Sequence, residues 1–200
     1  MKHSLMCAFA TSVLSLFAMT DFASAQTTTK TKTLNNETTG AKKVLIAYFS
    51  QSGNTRAMAK QIKSATGGDL FEIVPLKAYP KEYKVLVDLA KDEIGKGYKP
   101  ELKSKIDNLS QYDVIFVGSP NWWSTIAPPV ATFLSLARFE GKTIVPFMTH
   151  GGGGQAHMVA DMKKLCPGAT FLKALPISGS SVKEAQPEVT KWVTELKLAK

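Results

Sequence analysis

Residues 44–55 read Val-Leu-Ile-Ala-Tyr-Phe-Ser-Gln-Ser-Gly-Asn-Thr, and this stretch decides the fold. Its first half is an apolar run of strand length, which stops abruptly at a cluster of hydroxyl side chains, one glycine and one asparagine. Apolar residues then recur at helical spacing, at Met58, Ala59 and Ile62. The pattern predicts a strand, a tight loop and a helix in immediate succession.

The loop between this strand and this helix has the composition of a phosphate site. A helix N-terminus presents backbone N–H groups without intrahelical partners at the positive end of the helix dipole. The hydroxyl and amide side chains add donors, and Gly53 lets the backbone approach an anion closely. A loop that binds a nucleoside triphosphate carries a lysine after its glycine, and no such lysine follows Gly53. A single monophosphate is therefore the better match. The alternative is a turn that binds nothing, since these residue types are also common in turns.

Two later segments also have unusual compositions. Residues 119–125 read Ser-Pro-Asn-Trp-Trp-Ser-Thr, and residues 150–155 read His-Gly-Gly-Gly-Gly-Gln. Neighbours in an extended segment point to opposite sides, so one tryptophan can pack inward while the other faces a ligand. Four glycines let the backbone lie flat against a planar ring and offer it N–H groups, although loop flexibility alone would also explain them.

The chain from Lys43 to Leu198 resembles the flavodoxin family. The resemblance rests on the loop after the first strand, on Pro-x-Trp-Trp and on Thr-His-Gly-Gly-Gly-Gly. It implies binding of flavin mononucleotide (FMN). By this resemblance the phosphate would be held by the loop of Ser50, Gln51, Ser52, Gly53, Asn54 and Thr55. The isoalloxazine ring would be lined by Pro120, Asn121, Trp122 and Trp123, and its pyrimidine edge by His150, Gly151, Gly152 and Gly153.

Apolar runs and helical patterns alternate along the chain. After the first strand, further strands are expected at residues 70–74, 114–118, 143–149 and 170–177. Helices are expected after Asn54, from about Tyr83, from Pro128, over 155–165, and before Leu198, the last with a capping box at Ser181 and Glu184 unless Pro187 delays it.

This alternation predicts an α/β fold, a three-layer doubly wound sandwich with a five-stranded parallel sheet and right-handed crossovers. In the flavodoxin-like order 2-1-3-4-5 the first, third and fourth strands are adjacent. Ligands of such sheets bind at the carboxyl ends of the strands, near the switch in strand order. The loops 50–55, 119–125 and 150–155 are therefore expected to meet at one site.

Two features differ from many flavodoxins. Residues 150–155 contain no aromatic side chain to stack on the outer face of the flavin, so one ring face could be open to a second substrate. The chain is also basic, with a net charge of +9, where many flavodoxins are acidic. A positively charged His150 would favour the anionic reduced flavin and make a milder reductant. Alternatively, a neutral His150 ring holds the glycine loop through a backbone hydrogen bond.

The N-terminus predicts export. Residues 1–25 have a basic start, an apolar stretch and Ala23-Ser24-Ala25, the pattern of a secretory signal peptide cleaved before Gln26. Residues 26–42 predict a disordered polar linker, and residues 43–200 the flavodoxin-like domain. The expected location is periplasmic or extracellular, with no stable membrane anchor after cleavage. Cys166, then the only cysteine, is expected to be a small buried residue.

Three functions remain open at this point. The first is an FMN-dependent electron-transfer protein that serves a redox partner protein or a small-molecule acceptor. The second is an FMN-dependent NAD(P)H:quinone or small-molecule reductase, an oxidoreductase in the strict sense. The third is an exported binding module of the same fold without flavin. No nucleic-acid partner is expected, because no binding motif accompanies the scattered lysines. No metal site is expected, since His150 and His157 lack partners at ligand spacing.

Overall fold

The computed structural model describes residues 42–103 and 105–200. The predicted signal peptide, and the predicted linker up to residue 41, lie outside the described residues. The strands are β1 Val44–Tyr48, β2 Asp69–Glu72, β3 Val114–Trp122, β4 Thr125–Ile126, β5 Thr143–His150, β6 Thr170–Phe171 and β7 Leu175–Ser178. The α-helices are α1 Asn54–Thr66, α2 Tyr83–Gly95, α3 Pro128–Leu136, α4 Met158–Leu165 and α5 Gln186–Glu195. None of the helices in the described ranges is long and apolar enough to cross a membrane.

The sheet has the predicted order. Its strands run β2-β1-β3-β5 in parallel, and β6 and β7 both pair with the outer side of β5. The short β4 pairs only with β3, in the antiparallel sense. If β6 and β7 are counted as one interrupted strand and the short β4 is left out, the sheet has the flavodoxin-like order 2-1-3-4-5.

The prediction of one continuous fifth strand over 170–177 is wrong. Residues 172–174 interrupt it, and the two halves pair with β5 separately. At the break the Trp192 indole N–H donates to the Lys173 carbonyl at 2.9 Å. The break therefore coincides with a contact to helix α5.

Helices cover both faces of the sheet and bury two separate cores. Met58 and Ile62 of α1 are fully buried with Trp192 of α5 against one face. Leu134 of α3 and Met162 of α4 belong to the other core. Helices on both faces of the sheet are the arrangement that the alternation of strands and helices predicted.

Strand β3 is longer than predicted. It continues past Gly118 to Trp122 and then turns back, with Trp122 opposite Thr125 in β4. The turn residues Trp123 and Ser124 adopt positive φ angles of 51° and 68°. Much of the predicted loop 119–125 is therefore a strand extension closed by a tight hairpin.

The start of α5 also differs from one expectation. Ser181 and Glu184 belong to a separate 3-10 turn, and Ser181 makes no side-chain capping bond. The helix begins at Gln186, with Pro187 in its first turn. Proline has no N–H to lose in a first turn, so its position fixes the helix start.

Cys166 follows α4 and is 3% exposed, as expected for a buried residue. Burial alone raises the pKa of its thiol to about 12. At neutral pH the side chain is a protonated thiol that behaves as a small apolar group.

Candidate functional site

A cavity of about 740 Å³ opens at the carboxyl ends of the parallel strands. The predicted site residues that line it are Gln51, Ser52, Asn54, Pro120, Asn121, Trp122, Trp123, His150 and Gly151. The predicted residues that do not line it are Ser50, Gly53, Thr55, Gly152 and Gly153. All three predicted loops thus contribute to one cavity, as the strand order required.

The loop before α1 is built around Gly53. This residue has a φ of 95°, a conformation that strains other residue types, and its N–H donates to Ser50 Oγ at 3.2 Å. The first α-helical bond runs from Ala57 N–H to the Gly53 carbonyl at 2.9 Å. The N–H groups of residues 54–56 therefore have no intrahelical partner. No acidic residue occupies the first turn of α1, so this end of the cavity suits an anion.

Several side chains of this loop are bonded within the protein. The Thr55 side chain is 1% exposed and shares a hydrogen bond with Thr149 Oγ1 at 2.9 Å. Gln51 Nε2 donates to the Pro80 carbonyl at 3.0 Å, which joins the loop to the segment before α2. The side chains of Ser52 and Asn54 also line the cavity, and neither makes a hydrogen bond to another residue that the structure describes.

The cation nearest to the loop in sequence is neutralised within the protein. The Arg56 guanidinium is hydrogen-bonded and ion-paired to Glu72, and the hydrogen bond is the largest cause of its raised pKa. The pair leaves the N–H groups, hydroxyls and amide of the loop as the groups that would attract an anion.

Trp122 is the inner of the two tryptophans. Its ring stands edge-on to Phe49, with 5.5 Å between ring centroids, and to Tyr79, at 5.1 Å. Tyr79 is itself buried and donates to Glu93, and burial followed by this bond raises its pKa. One side of Trp122 is thus part of the core, while the residue also lines the cavity.

Trp123 is the outer tryptophan and is 50% exposed. Its indole N–H donates to the Val87 carbonyl in α2 at 3.1 Å, and the Lys91 Nζ lies 5.0 Å from its ring centroid. Trp122 therefore shows the inward packing that was expected of one tryptophan of the pair. The expected contact of the other tryptophan with a ligand stays a prediction. Trp123 also joins the β3–β4 hairpin to α2.

The glycine loop is held by side chains on both sides. Gly152 N–H donates to His150 Nδ1 at 3.1 Å, so the predicted backbone hydrogen bond between this ring and the glycine loop is present. Asn121 Nδ2 donates to the Gly154 carbonyl at 2.9 Å, and Asn121 Oδ1 accepts from Ser124 N–H at 3.0 Å. Asn121 therefore fastens the hairpin to the glycine loop.

Sequence reasoning missed two walls of the cavity. The first is one face of α2, with side chains at the helical spacing i, i+3, i+4 and i+7: Tyr83, Leu86, Val87 and Ala90. The second is the loop of residues 178–180 after β7, Ser-Gly-Ser, together with Thr149 at the end of β5. The spacing of apolar residues in α2 predicts an apolar face, and the serines after β7 predict a polar loop. Neither pattern indicates that the segment lines a cavity.

Comparisons with known proteins agree with this architecture. The family model for flavodoxins matches residues 43–196. A candidate flavoprotein from Bacteroides uniformis ATCC 8492 is 30% identical, with a TM-score of 0.69 over 78% of this chain and 99% of its own. One from Bacteroides eggerthii DSM 20697 is 29% identical, with a TM-score of 0.63 over 74% of this chain and 98% of its own.

A further solved structure is that of a flavoprotein from Lactobacillus acidophilus NCFM in complex with FMN. It is 31% identical to this chain, with a TM-score of 0.57 over 72% of this chain and 98% of its own. No curated protein matches the sequence. The family model covers nearly the whole described domain. The chain belongs to the flavodoxin family.

Proposed function

We propose that this protein binds FMN in the cavity and uses it to transfer electrons. The observation that carries the proposal is the chemistry of the two ends of the cavity. The N-terminus of α1, with Ser52 and Asn54, offers N–H, hydroxyl and amide donors suited to a phosphate. Trp122 and the apolar face of α2 offer a surface suited to a planar ring. The similar flavoprotein from Lactobacillus acidophilus is known in complex with FMN, which supports this ligand.

Each wall then has a part in holding the cofactor. The start of α1 would hold the phosphate, and the β3–β4 hairpin and the glycine loop would hold the ring. His150 and Asn121 keep the glycine loop in place for the pyrimidine edge through their bonds to Gly152 and Gly154. FMN supplies the electron transfer, while the protein supplies binding, orientation and the electrostatic setting.

Titration of the purified protein with FMN tests this proposal, with flavin and tryptophan fluorescence followed together. We expect saturable one-to-one quenching that Ser52→Glu weakens at least about tenfold, because a carboxylate there repels the phosphate. Ser64→Glu is the matched control, since Ser64 lies exposed near the other end of α1 and its change adds the same charge. Equal weakening by both variants, or no binding by the unmodified protein, would contradict an FMN phosphate site at this loop.

A second candidate function is an FMN-dependent reductase of quinones or other small molecules. The favouring observation is the open rim of the cavity, where Tyr83 is 79% and Trp123 50% exposed. These rings could stack on a planar acceptor beside the flavin. A reductase would oxidise NAD(P)H steadily when a quinone is added, whereas an electron carrier would be reduced only by a partner protein. A protein that binds no FMN would instead be a binding module of the same fold.

We further propose that the protein works outside the cytoplasm, with a redox partner protein or a small-molecule acceptor. The proposal rests on the signal pattern of residues 1–25 and on the lack of ready nicotinamide cofactors outside the cytoplasm, which favours the electron carrier. The net charge of +9 favours a partner with an acidic surface. N-terminal sequencing of the exported protein is expected to begin at Gln26; recovery of Met1 from the cytoplasmic fraction alone would refute this location.

A further inference from the structure

Gly179 lies where three parts of the site meet. It follows β7, it lines the cavity, and its N–H donates to the His150 carbonyl at 2.8 Å. A Cβ at this position would lie 2.6 Å from Asn54 Nδ2 and 3.6 Å from the His150 carbonyl oxygen. The Asn54 amide therefore packs directly on the Gly179 backbone, in space that a side chain at residue 179 would fill.

A methyl group at residue 179 would displace the Asn54 amide. The backbone of Gly179 lies outside the positive-φ region, so alanine can adopt it without strain. The atom that a Cβ would meet is the far end of a side chain, which can rotate away at little cost to the fold. The loss would therefore fall on whatever the Asn54 amide binds, and only slightly on the stability of the protein.

We propose that Gly179 is a positioning residue that directs the Asn54 amide to the phosphate of the flavin. This inference rests on the proposed function, since it assumes that FMN occupies the cavity. A hydrogen bond from an amide to a phosphate is charge-assisted and therefore strong. Riboflavin carries the same ring and ribityl chain but no phosphate, so it cannot form this bond. Gly179 thereby contributes to the selection of FMN over riboflavin.

The test compares dissociation constants for FMN and for riboflavin, measured by fluorescence quenching on the purified protein. Gly179→Ala should weaken FMN binding about tenfold to a hundredfold, the effect of one hydrogen bond to a charged group, and leave riboflavin binding unchanged. Asn54→Ala should act in the same way. The double variant should bind FMN no more weakly than Asn54→Ala alone, because both changes remove one interaction. Gly95→Ala is the control, since a Cβ there meets no atom within 4 Å.

The possible results separate the role of Gly179 from the binding of FMN itself. Loss of FMN and riboflavin affinity to the same extent would show that Gly179 shapes the cavity in general, and would overturn the inference. So would unchanged FMN binding by Gly179→Ala, or additive losses in the double variant. Failure of the unmodified protein to bind FMN would refute the proposed function itself, and the inference with it. Thermal unfolding of Gly179→Ala near that of the unmodified protein would confirm that the methyl group acts on Asn54 and not on the fold.

Discussion

Alanine substitution of the two adjacent tryptophans should give very different losses of stability. Trp122 stands edge-on to Phe49 and Tyr79, and each such aromatic pair adds about 0.5–1.5 kcal/mol beyond the area it buries. Full burial of a tryptophan would make its loss cost about 3–5 kcal/mol, and Trp122 is partly exposed at the cavity. We expect Trp122→Ala to lower the free energy of unfolding by about 3 kcal/mol.

Trp123→Ala should cost much less. Its ring is 50% exposed and is held by one hydrogen bond to Val87 and by the Lys91 ammonium. The hydrogen bond contributes about 1 kcal/mol and the cation–π contact about 0.5–1 kcal/mol at an exposed site. We expect a loss of about 1.5 kcal/mol, about half of that for Trp122→Ala.

Urea unfolding without flavin measures both values. Trp192 is 3% exposed in the opposite core, so its fluorescence still reports unfolding in either variant. The slope of free energy against urea concentration should stay constant, which shows that the unfolded states are comparable. A loss for Trp123→Ala equal to or greater than that for Trp122→Ala would refute the division into an inner and an outer tryptophan.

Three further substitutions or treatments have defined outcomes. A Cβ on Gly118 would lie 2.2 Å from Phe147 Cζ, so Gly118→Ala should overpack the core. Urea unfolding should show a loss of about 1–3 kcal/mol in the free energy of unfolding. An unchanged urea midpoint would mean that the Phe147 ring moves aside freely. Asn121→Asp places a carboxylate oxygen against the Gly154 carbonyl, so FMN titrations should show weaker binding at pH 7 and partial recovery near about pH 4, where aspartate protonates. Burial raises the pKa of the Cys166 thiol to about 12, so little thiolate forms in the native protein at pH 8. In the chain from Gln26, iodoacetamide should therefore modify Cys166 on the order of 10³ times more slowly in the native protein than in urea, as measured by mass spectrometry. Equal rates of modification would disprove the burial.

The parts of the site that could be predicted are those encoded by local composition. The hydroxyl-rich loop before α1, the tryptophan pair and the glycine run each stand out in sequence, and each follows an apolar strand. Once the strand order is known, their meeting point follows, because the carboxyl ends of adjacent parallel strands share one edge of the sheet. No tertiary information beyond that order was needed.

The parts that could not be predicted depend on contacts between distant segments. The period of α2 predicts a helix with an apolar face, but Tyr83 and Val87 face a cavity and not the sheet. The split of the fifth strand coincides with the bond from Trp192 to Lys173. The contact between Gly179 and Asn54 joins segments that are far apart in the sequence. A serine-glycine-serine sequence is typical of any turn, so composition gives no sign of that contact.

The bond between His150 and Gly152 changes the electrostatic interpretation of the site. His150 Nδ1 accepts the Gly152 N–H, and a ring nitrogen that accepts a hydrogen bond does so through a lone pair. A doubly protonated ring would set two donors against each other, so the loop bond and a positive charge on His150 exclude one another. His150→Asn should therefore keep both the glycine loop and the reduction potential of bound FMN, because the asparagine oxygen can accept the same N–H. Potentiometric titration measures this, and a clearly lower potential in His150→Asn would show that a positive ring tunes the flavin after all.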